Sequence, residues 1–154
     1  MGEPQRTADG HHVVIDGRRW RATDPSIPET FRQELVDELM DARRTRDRRR
    51  VQEAKVALGE RGEPWWEVTR PSDERLAAAM MALARRRAPD GTICPSDVAR
   101  AVGGGGWRAL MEPVRDVARR LAHDGAVRVT QRGRELDPSE PWRGPLRIGL
   151  GARS

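Results

Sequence analysis

Hydrophobic positions along the chain follow two periods, and each change of period marks an element. The run Val13-Val14-Ile15-Asp16-Gly17-Arg18-Arg19-Trp20 places apolar residues on both sides of Asp-Gly, a pair suited to the positive φ angles of a two-residue hairpin turn. That register sets Val13 opposite Trp20. A lone two-stranded hairpin is marginal in water, so this one is expected to pack on the helix that follows. Ser26 and Glu29 have capping-box spacing, and Pro28 falls in the first turn, where its missing N–H costs little. Phe31, Leu35, Leu39 and Ala42 then recur at helical spacing and form one stripe. The stripe disappears across residues 43–50 and resumes weakly at Val51, Ala54 and Leu58. Residues 27–58 are therefore one long helix or two helices meeting near residues 45–48. A single helix, packed at its start and solvated through the arginine run, is preferred. Gly59 and Gly62 stop it, and Pro64 forces extension.

From Ser72 the pattern tightens. Ser72 can cap a helix running to about Arg87, with Leu76, Met80 and Leu83 as its buried stripe. Thr92-Ile93-Cys94 is a short extended segment, and Pro95-Ser96-Asp97 starts a second, short helix that the glycines at 103–106 break. Trp107, Met111, Val114, Ala118 and Leu121 share one face of a third helical region. Pro113 lies inside it and either kinks the helix or sits in its true first turn, with 107–111 a separate turn. After Gly125 the period switches to 2. Residues 126–130 and 145–150 alternate as strands do, on either side of a polar, Gly- and Pro-rich loop. Helix, short strand, helix, helix, strand, loop, strand is the order of a winged helix.

The expected class is α+β: an N-terminal β-hairpin plus long helix or helices, then a C-terminal winged helix of three helices and a small antiparallel sheet. The domain bounds read as a disordered tail at 1–10, a hairpin–helix segment at 11–66, a linker at 67–72 and the winged-helix domain at 73–151. Two separate cores are expected. Val13, Ile15, Trp20, Phe31, Leu35 and Leu39 make the first. Leu76, Leu83, Val98, Trp107, Val114, Leu121, Val127, Val129 and Ile148 make the second, with Trp107 its largest side chain.

Cys94-Pro95-Ser96-Asp97-Val98-Ala99-Arg100, Trp107-Arg108-Ala109-Leu110-Met111 with Pro113-Val114-Arg115, and Arg143-Gly144-Pro145-Leu146-Arg147-Ile148 together resemble an uncharacterised bacterial family of winged-helix-like domains of unknown function. The resemblance covers roughly residues 73–150. The first half, with Gly17-Arg18-Arg19-Trp20-Arg21 and Pro64-Trp65-Trp66, is similar to a segment often fused to that domain in proteins sometimes labelled biopolymer transporter Tol. The resemblance implies the fold and brings no catalytic residues.

Charge changes the picture. The formal net charge is +5, and Lys55 is the only lysine among 29 basic residues. Residues 1–70 carry 14 bases and 14 acids, so the whole excess lies in the second half. A basic excess attracts polyanions, although +5 also suits a plain soluble surface. The strip at 43–50 is a phosphate-binding candidate or a solvated face, with the solvated face preferred. No stretch approaches the ~18 apolar residues of a membrane span. The single Cys94 permits no intrachain disulfide, so a cytoplasmic protein without membrane contact is expected.

A winged helix that reads double-stranded DNA lays its third helix in the major groove and its wing beside the phosphates. Arg108, Arg115 and Arg119 share a face about 120° from the core stripe if that helix is continuous. Arg132 and Arg134 flank Gly133 in the wing. These five arginines are the expected nucleic-acid contacts, since guanidinium groups suit phosphates and guanine edges. Glu112 and Asp116 interrupt the face, so a protein partner with no nucleic-acid ligand is the alternative. No catalytic role, cofactor or metal is expected. His11 and His12 lie near the tail, Cys94 and His123 are isolated, and the glycines at 103–106 lack the order of a phosphate cradle. Cys94 precedes a helix and is read as a small core residue. Trp65 and Trp66 are expected to plug a small core or an interface.

Overall fold

The computed structural model describes residues 4–153. The Asp-Gly hairpin forms as expected: β2 (His12–Ile15) pairs antiparallel with β3 (Arg18–Arg21), and Val13 faces Trp20. Asp16 and Gly17 have φ of 51° and 76°, the left-handed pair such a turn needs. Residues 4–10 depart from the expected disordered tail, whose residues 1–3 lie outside the described residues. β1 (Gln5–Arg6) adds a third strand to β2. Its return is held by Asp9, whose carboxylate accepts from the Thr7 hydroxyl at 2.6 Å and the His11 amide at 3.0 Å. Those bonds hold the Asp9 carboxyl below its ordinary range.

Ile15 and Trp20 are not core residues; they are 44% and 41% exposed. Alternation along the strands puts Val13, Ile15, Arg18 and Trp20 on one face. The opposite face is the one that packs. There His12 meets the Trp66 ring edge-on, and the Arg21 guanidinium donates to the Gly62 carbonyl at 2.7 Å. His11 stacks on Trp66 at 4.1 Å, and Trp65 donates to the Ala22 carbonyl at 3.0 Å. The two tryptophans thus fasten the small sheet to the rest of the chain, as a plug.

The segment 27–58 is two helices. α1 (Glu29–Arg44) starts after Pro28 without a side-chain cap, because Ser26 donates its hydroxyl to Asp24 instead of capping. α2 (Arg48–Ala57) is capped by Asp47, which accepts from the Arg50 amide at 3.1 Å. Arg46 between them has a φ of 56°. A local cap within the arginine run restarts the helix and explains the break.

α3 (Asp73–Arg87) is capped by Ser72. α4 (Pro95–Gly103) begins at its proline, with Asp97 accepting from the Cys94 amide at 2.8 Å. A 3-10 turn (Gly104–Leu110) precedes α5 (Met111–His123), so Pro113 sits in the first turn of α5. β4 (Val127–Gln131) pairs with both β5 (Arg134–Glu135) and β6 (Arg147–Leu150). Ile93 exchanges two backbone hydrogen bonds with Ile148 on the free edge of β6, at 2.8 and 2.7 Å. Three helices and a small antiparallel sheet are therefore present in the expected order.

The two separate cores are one. Leu35, Leu39, Leu76, Leu83, Val98, Val114, Val127, Val129 and Ile148 are buried in a single cluster, and Phe31, Trp107 and Leu121 lie at its margin. The joint is α3, in which Ala78, Met80, Met81, Ala82 and Leu83 are all buried. A helix apolar on every side has neighbours on every side: α1 and α2 cover one flank, α4 and α5 the other. Ion pairs follow the same seam. Arg75, 4% exposed, meets Asp24 at 2.9 Å and donates to the Ala57 carbonyl. Arg85 meets Glu53 at 3.0 Å, Arg86 meets Asp41, and Arg87 meets Glu34 at 3.0 Å. Glu38, fully buried, accepts two hydrogen bonds from Arg50 at 2.8 Å. Periodicity cannot report such pairing between distant segments, which is why the halves look independent in sequence.

Candidate nucleic-acid interface

The turn between β4 and β5 is a tight one. Arg132 and Gly133 have φ of 53° and 80°, a left-handed pair that aims both flanking arginines outward. Arg132 and Arg134 are exposed, as is Arg143. Among the described residues, no hydrogen bond or ion pair engages the guanidinium groups of these three. They border an open groove of about 1010 Å³, which Arg147, Glu135 and Glu140 also line. Arg147 is tied at one end of it, donating to the Thr92 hydroxyl at 2.8 Å and touching the Cys94 sulfur. Cys94 is thus a half-buried free thiol rather than a core residue.

The loop from 136 to 146 is held from beneath by α5. Arg115 donates to the carbonyls of Gly144 at 3.1 Å and Trp142 at 3.2 Å. Arg119 donates to those of Pro138 at 2.6 Å and Glu140 at 2.8 Å, and its guanidinium carbon lies 4.2 Å from the Trp142 ring centroid. Asp137 closes a turn by accepting from the Ser139 amide and hydroxyl, bonds that hold its carboxyl below the ordinary range. Backbone carbonyls in a loop otherwise need water; here two arginines satisfy four of them.

Arg108 stands apart from this group. It belongs to the 3-10 turn, whose different pitch breaks the face it was expected to share with Arg115 and Arg119. Its guanidinium lies 4.5 Å from the Trp107 ring centroid, and that of Arg100 lies 4.7 Å from the same ring. Trp107 is half-buried between two cations, not the centre of the core. Arg100 and Arg147 were invisible as site residues in sequence, since nothing in the spacing brings 100 to 107 or 147 to 94. Arg143 follows the β4–β5 turn in sequence and lies on the same groove.

Among the described residues, no three His, Cys, Asp or Glu side chains converge as metal ligands do, and no helix is long and apolar enough to cross a membrane. No curated protein matches the chain. Residues 73–151, from the first residue of α3 to just past β6, match a family described as a protein of unknown function, DUF3253. That span is just over half of the chain and agrees with the resemblance read from its motifs. The chain belongs to the DUF3253 family.

Proposed function

We propose that the protein is a non-enzymatic winged-helix protein that binds double-stranded nucleic acid through its wing, with α5 beneath it. Three helices followed by a sheet in which Ile93 pairs with β6 and β6 with β4 support the winged-helix reading. The observation that carries the ligand is the wing itself: Arg132, Arg134 and Arg143 are exposed, and among the described residues none of their guanidinium groups is engaged in an ion pair. Arg132 and Arg134 contact phosphates in this reading, and Arg108 adds a cation from the 3-10 turn. Arg115 and Arg119 hold the loop in place and supply charge from below. Cys94 is a free thiol, which suits the reducing cytoplasm.

Salt dependence tests the reading. Removing one arginine that touches a phosphate should lower the slope of log affinity against log salt by about 0.9 on duplex DNA. Fluorescence anisotropy of Arg132→Ala and Arg134→Ala on duplexes of unrelated sequence should show that change, with similar weakening on all of them, because phosphates carry no sequence information. Unchanged slopes in both variants refute it. One observation favours a second reading, a protein partner: Glu135, Asp137 and Glu140 alternate with the arginines along the groove. On that reading the same variants leave DNA affinity at background.

A further inference from the structure

The first half of the chain is electrically neutral in sequence, but its charges are sorted by the fold. Three acids of α1 and α2 pair with α3, Glu34 with Arg87, Asp41 with Arg86 and Glu53 with Arg85, while Glu38 pairs with Arg50 of α2 and Glu29 with Arg32 of α1. Asp47 is occupied as the cap of α2, and Glu60 accepts from Thr23. Arg32, Arg44, Arg49 and Arg50 take part in such pairs, but Arg43 and Arg48 of the same helices, and Arg46 between them, have no ion pair among the described residues. Arg43, Arg46, Arg48 and Arg61 are exposed and line a notch of about 560 Å³ whose other walls are Val51 and Gln52, with no acid among its lining residues. Lys55 joins this group to the hairpin. Its ammonium lies 5.6 Å from the Trp20 ring centroid, and Arg18 lies 4.6 Å from the same ring. Burial, then the neighbouring charges of Arg61 and Arg43, hold the Lys55 ammonium below its ordinary value. An anion in the notch relieves that crowding.

We propose that this face is a second nucleic-acid contact, taking single-stranded nucleic acid with its phosphates in the arginine notch and a base on Trp20. A concave cluster of arginines tracks a backbone, and an exposed indole flanked by cations is a sequence-tolerant stacking platform. Arginine predominates over lysine here, which suits forked hydrogen bonds to phosphate oxygens. The unpacked side of the hairpin, with Ile15 and Trp20 open to solvent, has its use as this platform. The site is independent of the wing, which lies on the family domain.

The experiment uses the full chain and a fluorescein-labelled 20-nucleotide oligo(dT), read by anisotropy over a range of salt concentrations. Arg46→Ala with Arg48→Ala should lower the log–log salt slope by about 1.4, since each phosphate on a single strand contributes about 0.7. Trp20→Ala should weaken binding roughly tenfold with the slope unchanged, because stacking releases no counterions. Trp20→Phe should recover part of that loss and serves as the readout if Trp20→Ala fails to fold. Arg132→Ala with Arg134→Ala should leave oligo(dT) binding intact while weakening duplex binding, so each site can fail alone. Oligo(dT) affinity and slope unchanged by the Arg46/Arg48 and Trp20 changes overturn the proposal. So does loss of binding to phosphatidylserine vesicles in those variants with oligo(dT) unaffected, which makes the face a membrane contact.

Discussion

Glu38→Gln isolates the charge that holds the seam between the two halves. The substitution preserves shape and removes only the negative charge. Glu38 is 0% exposed and accepts two hydrogen bonds from Arg50, while Arg85 and Arg86 approach it at 3.8 and 3.7 Å. Its carboxylate holds the Arg50 guanidinium above its ordinary value, so the arginine cannot escape by losing its proton. Each attraction is about 4 kcal/mol at an effective dielectric constant of 20, before the cost of desolvating the carboxylate is set against it. Breaking a buried ion pair by removing one partner costs ~3–5 kcal/mol. Arg50 reaches solvent, and Arg85 and Arg86 keep Glu53 and Asp41, so a loss of about 3 kcal/mol is expected. Whole-domain stabilities are ~5–15 kcal/mol, so the change is large. Urea unfolding followed by tryptophan fluorescence measures it, and the midpoint should fall at constant slope. Glu38→Leu with Arg50→Leu, which removes both charges, should lose less than Glu38→Gln alone. A loss below about 1 kcal/mol in Glu38→Gln refutes the reasoning, because a carboxylate so worthless would not be compensating the surrounding arginines.

A fragment of residues 71–154 should show a broad, low-amplitude thermal transition, since it bares Met81 and Ala78 and strips Arg75 and Arg85 of their partners; a sharp transition near that of the full chain, by circular dichroism, would count against a single core. Trp107→Ala should cost about 1–2 kcal/mol in urea titrations, below the ~3–5 kcal/mol of a fully buried aromatic, because the ring is half exposed between Arg100 and Arg108.

What could be read from sequence was local. The Asp16-Gly17 turn, the Ser72 cap, the proline start of α4 and the switch to alternation after Gly125 each depend on residues within a few positions of one another, and each appears where expected. Trp20 shows where that reasoning stops. Its cross-strand partner is local and was legible; the face of the sheet that would be covered depends on Trp66, 46 residues away. β1 is two residues long, too short for any period to register. For the site, Arg132 and Arg134 were legible because a turn sequence dictates exposure. The roles of Arg115 and Arg119 were not, because their acceptors are carbonyls of an irregular loop, and a carbonyl has no letter in the sequence.

The family match begins at Asp73, the first residue of α3, yet the flank of α3 that faces α1 and α2 is apolar at Ala78 and Met81 and cationic at Arg75 and Arg85–Arg87. The boundary of the family thus runs along the inside of a core. A chain that carried this domain alone would expose a strip where an alanine and a methionine lie beside four arginines. To be self-sufficient it would need polar side chains at the positions of Ala78 and Met81 and shorter ones at Arg85–Arg87. Those few positions are the ones at which a stand-alone copy of the domain would have to differ from this chain.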